Sequence, residues 1–116
     1  MTQEAYYNWR KVWEFTSEAP VHRIIVQDTV AIETIHLDGT ESGTYWDAVW
    51  GCTLKLGTIL DVPALCRLEI PLWSLRTAPD LRVPVVFKSD ETLCAQVCGT
   101  LLDETIVLNF MGRSVR

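Results

Sequence analysis

The chain reads as an all-β protein, an antiparallel β-sandwich or jelly roll of seven to eight strands with a short N-terminal helix or arm. Three observations predict this. Apolar and polar residues alternate over most of the chain, turn residues recur about every ten positions, and β-branched runs dominate the segments between them. The stretch expected to organise the core is residues 45–56, read as one strand. Trp46, Ala48, Trp50, Cys52, Leu54 and Leu56 form an apolar row on one face. Tyr45, Asp47, Val49, Gly51, Thr53 and Lys55 form a mixed face opposite, which a second layer is expected to cover. Each tryptophan can bury on the order of 200 Å², so this row is placed at the centre of the sandwich.

Taken in order, residues 1–19 form the aromatic arm or helix and residues 20–116 the sandwich domain. Tyr6, Trp9 and Trp13 fall at helical spacing, while Tyr7, Trp9, Trp13 and Phe15 also fit alternation. Glu4, Ala5, Arg10, Lys11 and Glu14 tilt the reading towards a helix, and Pro20 stops it. Residues 22–27, with Ile24, Ile25 and Val26, read as a buried strand, and 30–37 as another. Residues 38–43 form a loop opening on Asp38-Gly39. After the long central strand, 58–60 read as a short strand or its continuation. Residues 65–72 alternate again up to Pro71, which suits an edge or a strand end. Residues 74–81 read as a loop because of Arg76, Pro79 and Asp80. Strands over 83–87, 93–98 and 105–110 complete the set.

The 116 residues suffice for one domain, and 48% of them are hydrophobic, which argues against disorder. A net charge of -5 with scattered Lys and Arg argues against nucleic acid as a partner. No run approaches the ~20 apolar residues that a membrane helix needs, so no membrane insertion is expected. The first residues carry no signal-peptide pattern, which suggests synthesis in a cytoplasm. Cys52, Cys66, Cys94 and Cys98 are read as mostly buried free thiols. On a strand, Cys94 and Cys98 would lie roughly 13 Å apart, too far for a disulfide or a shared zinc ion.

Catalytic constellations are not expected, nor is any cofactor. No glycine-rich phosphate loop or nucleophile elbow is present. His36 with Glu33 and Asp38 is the best local cluster, but alternation sends Glu33 and His36 to opposite faces. Asp38, Glu41 and Asp47 match no calcium loop. Trp73 is the one candidate ligand-stacking side chain, because it follows the strand end at Ile70-Pro71-Leu72. Tyr6, Tyr7, Trp9, Trp13 and Phe15 are candidates for a subunit interface, since aromatic residues are enriched there.

The C-terminal half to two-thirds of the chain resembles a known class. It runs Ile70-Pro71-Leu72-Trp73, Leu75-Arg76, Ala78-Pro79 and Val83-Pro84-Val85-Val86-Phe87. It continues Ala95-Gln96-Val97-Cys98-Gly99-Thr100-Leu101 and ends Ile106-Val107-Leu108-Asn109. This is similar to the small β-modules of bacteriophage tail fibres and baseplate receptor-binding proteins. The resemblance implies a non-enzymatic virion component, a homo-oligomer with a trimer favoured, held by other virion proteins. It implies attachment to a host surface glycan or protein, and a virion location. Two alternatives stand beside it, a capsid decoration protein and a small carbohydrate-binding or metal-dependent jelly-roll domain.

Overall fold

Two four-stranded antiparallel sheets pack face to face in the computed structural model, which describes residues 7–38 and 43–115. The strands are β1 (Trp9–Phe15), β2 (Val21–Ile25), β3 (Thr29–Asp38), β4 (Cys52–Gly57), β5 (Cys66–Pro71), β6 (Asp80–Phe87), β7 (Thr92–Gly99) and β8 (Ile106–Val115). One sheet has the order β1-β8-β3-β6 and the other β2-β7-β4-β5. The chain changes sheet at every connection except the β4–β5 hairpin, which is the winding of a jelly roll. The all-β sandwich with eight strands is therefore as expected.

The core follows from alternation. Phe15, Ile32, Ile35, Leu54, Leu56, Phe87, Leu93, Ile106, Leu108 and Phe110 are fully buried on the facing surfaces. A bulge between Ile32 and Thr34 shifts the register of β3 against both neighbours. Gly99 ends β7 at a φ of +128°, and a Cβ there would run into the Gly51 carbonyl and Cys52.

Two short helices were not expected. Helix α1 (Gly43–Trp50) occupies the first half of the stretch read as the central strand, and only Cys52–Gly57 is β4. Tyr45, Ala48 and Val49 are its buried residues, spaced i, i+3, i+4 as a helix face requires. Trp50 consequently leaves the core and is 66% exposed, while Trp46 is only half-buried, packed against the core's margin. Helix α2 (Leu72–Thr77) replaces part of the expected loop, burying Leu72 and Leu75 and opening directly after Pro71. The expected strand at 58–60 is irregular backbone leading to a 3-10 turn at Pro63–Leu65.

The N-terminal helix is also corrected. Trp9–Phe15 is an edge strand paired with β8 from Trp9↔Gly112 to Phe15↔Ile106. The buried strand expected over 22–27 is instead Val21–Ile25, the edge of the second sheet, and its Ile25 is exposed. Tyr6 and the loop at 39–42 lie outside the described residues.

Candidate interaction surface

The two sides of the sandwich are closed differently. On one side β1 and β2 are knit by their own side chains. The Trp13 ring stacks on His22 with centroids 5.4 Å apart, and His22 Nε2 donates to the Glu14 carbonyl at 2.6 Å. Phe15 meets His22 edge-on, and Phe110 meets Trp13 at 5.6 Å. The candidate interface residues Trp13 and Phe15 are thus used inside their own chain, and Trp9 is half-buried against the same core. Tyr7 is also engaged. The Thr34 hydroxyl donates its proton to Asp80 at 2.9 Å, so the Tyr7 hydroxyl is the donor in its 2.8 Å bond to Thr34 Oγ1.

On the other side β5 and β6, each the free edge of its sheet, leave a groove of about 660 Å³. Leu68, Ile70, Leu81 and Val83 line it, and Val83 is 76% exposed. Arg67 clips this side shut at one point. It donates to the Val86 carbonyl at 2.6 Å, pairs with Glu91 at 2.6 Å and covers the Phe87 ring at 4.9 Å. The Arg67 guanidinium, then the Lys88 backbone N–H, hold the Glu91 carboxyl below its ordinary value.

Helix α2 joins β5 to β6 and sits at the end of that groove. Its Ser74 lines the groove, and its Trp73, Arg76 and Thr77 line a second cleft of about 250 Å³ with Trp46 and Trp50 of α1. Trp50 stacks on Trp73 with centroids 5.4 Å apart and planes 21° from parallel. The Arg76 guanidinium lies 4.1 Å from the Trp46 ring centroid, a cation–π contact. Trp73, the candidate stacking residue, is 43% exposed, and the ring stacked on it is Trp50, which alternation had assigned to the core. The signal for this cleft was in the sequence. Tyr45, Ala48, Val49 and Cys52 also follow helical spacing, and that period carries Trp46 and Trp50 to one flank.

His36 pairs with Asp38 at 3.2 Å on the surface, while Glu33 pairs with Arg113 at 3.1 Å. Among the described residues no three His, Cys, Asp or Glu are placed to hold a metal ion. All four cysteines are free, with Cys52 and Cys94 buried and Cys66 and Cys98 half-buried. Burial, then the neighbouring Cys98, pushes the Cys52 thiol up, away from the reactive thiolate. Burial, then the carboxylates of Asp38 and Glu104, raises Tyr45 to about 12, so its hydroxyl stays protonated and donates to the Asp38 carbonyl at 2.7 Å.

No protein-family model and no curated protein sequence matches the chain. A solved structure does match, the NLP core of Drosophila, described as giving insight into pentamer formation and histone binding. The match covers 94% of this chain and 100% of that one, with a TM-score of 0.53 and 14% identity. At that identity the likeness establishes a shared fold. It also overturns the expected phage structural role, with its tail-fibre, receptor-binding, homotrimer and capsid-decoration forms, and the carbohydrate-binding or metal-dependent alternative. The structural neighbour is a histone-binding pentamer and no virion component. A jelly roll hosts many unrelated tasks, so the β-hairpin pattern that suggested a virion protein carried fold and not function.

Proposed function

We propose that this chain is a non-enzymatic, homo-oligomeric jelly-roll core that binds histones, basic proteins whose charge complements its own. The observation that carries the reading is the likeness to the NLP core over 94% of the chain. The charge balance supports it. Fifteen acidic residues outweigh ten basic ones, and Glu14, Glu18, Asp28, Glu69, Asp90 and Asp103 are all exposed. A surface of that sign attracts a basic partner over roughly a Debye length, about 8 Å at physiological salt. The exposed apolar groove and the tryptophan cleft supply the desolvated contacts that a lasting assembly needs. The test is retention of purified core histones by the immobilised chain across a salt series. Retention near 0.15 M salt (about physiological ionic strength), weakening steadily as salt rises, is expected. No retention at low salt, or equal retention of an unrelated protein of the same basic charge, overturns the reading.

A further inference from the structure

Resting on the homo-oligomeric reading, we infer that the α1–α2 tryptophan cleft receives the β4–β5 loop of a second copy, with Arg76 pairing to that copy's Asp61. The cleft presents Trp50 and Trp73, 66% and 43% exposed, around a guanidinium. Arg76 lies on Trp46 and has no ion-pair partner among the described residues. It is a positive charge beside apolar rings, so its complement is a carboxylate flanked by aliphatic side chains.

The loop between β4 and β5 has that composition. Ile59, Val62 and Leu65 are 51%, 43% and 37% exposed, and Asp61 stands among them, exposed and also unpaired among the described residues. A loop this apolar on the surface marks a covered site. It is also preformed. Thr58 N–H donates to the Leu65 carbonyl at 3.2 Å, and Leu65 N–H to the Val62 carbonyl at 2.9 Å. Docking it therefore costs little ordering entropy.

The loop cannot reach the cleft of its own chain. Helix α1 precedes β4 and α2 follows β5, so the cleft sits at one end of the hairpin and the loop at the other. Six extended residues separate them by about 20 Å. Two different patches at opposite ends make a head-to-tail contact, the kind that closes rings when the rotation between copies allows it. Copies carrying a charge of -5 repel one another overall, so a lone matched pair of opposite charges would also set the docking register.

Charge reversal tests this on the full chain by sedimentation velocity over a concentration series. Asp61→Arg and Arg76→Asp should each weaken self-association by about tenfold or more, and Trp50→Ala should weaken it too. Combining Asp61→Arg with Arg76→Asp should restore it, because the pair is re-formed with the signs exchanged. Thermal melting of each variant separates lost docking from lost folding, and the double variant reports folding by its own assembly. If the wild-type chain assembles and the single variants assemble equally, or the double variant is no better than either single, the docking inference is overturned while the homo-oligomeric reading stands. If the wild-type chain is a monomer throughout, both are overturned.

Discussion

Two aromatic clusters divide the molecule, and they have opposite fates. At the β1–β2 edge, Trp13, Phe15, His22 and Phe110 interlock inside the sandwich. At the helical end, Trp46, Trp50, Trp73 and Arg76 gather on the surface around a cleft. The residue types are nearly the same. The difference lies in the backbone period. On β1 a step of two sends Trp13 and Phe15 inward and Val12 and Glu14 outward. On α1 a step of 3.6 spends the inward face on Tyr45, Ala48 and Val49 and leaves Trp50 outside. Aromatic content alone therefore marks neither core nor interface.

The comparison breaks most visibly at Phe15. Truncation to Ala should cost about 3–5 kcal/mol in urea unfolding, because a fully buried ring leaves a cavity among Trp13 and His22. A loss below about 1 kcal/mol would mean that this edge is not core. Gly99→Ala comes next, at about 1–3 kcal/mol, since it combines a left-handed φ with a collision on Gly51. Tyr45 sharpens the boundary between the two regions, because it belongs to α1 yet faces the core. Tyr45→Phe should cost about 1 kcal/mol for the lost bond to Asp38. It should also change the alkaline limb. A phenol raised to about 12 keeps its proton in the folded state after the unfolded chain has lost it, so the wild-type protein loses stability as pH rises from about 10 towards 12. The Phe variant should show a flatter profile there. Trp50→Ala should change stability by no more than about 0.5 kcal/mol, since the ring is largely exposed. Measuring a cost like that of Phe15 would erase the distinction between the clusters. The smallest effect is expected at Glu91. Its lowered carboxyl contributes stability above the ordinary glutamate value of 4.5, and that contribution is lost as pH falls through the folded-state value. Glu91→Gln should remove this acid-limb slope in a pH series of melting temperatures.

Most strands were legible because alternation is local. β3, β5, β7 and the first half of β8 follow from β-branched runs and turn residues, and β4 keeps the Cys52, Leu54, Leu56 face that the row of apolar residues indicated. The errors share one cause. Residues 45–56 satisfy a period of two and, from Tyr45 to Cys52, a helical period as well, and sequence spacing has no means to choose. Trp9–Phe15 carries the same ambiguity, resolved the other way by its pairing with β8 a hundred residues later. The site suffered most, since the cleft exists only when α1 and α2 fold beside each other at one end of a hairpin.

By itself the sequence determined an all-β sandwich, its approximate strand count, its acidic balance and the burial of most of its aliphatic residues. These are properties of neighbouring positions and of composition. Only the tertiary structure decided which aromatic residues are core and which are surface, where the free edges lie, and that Trp50 meets Trp73. Those depend on backbone hydrogen bonds between distant segments, which select one of two periods that the side chains alone allow equally.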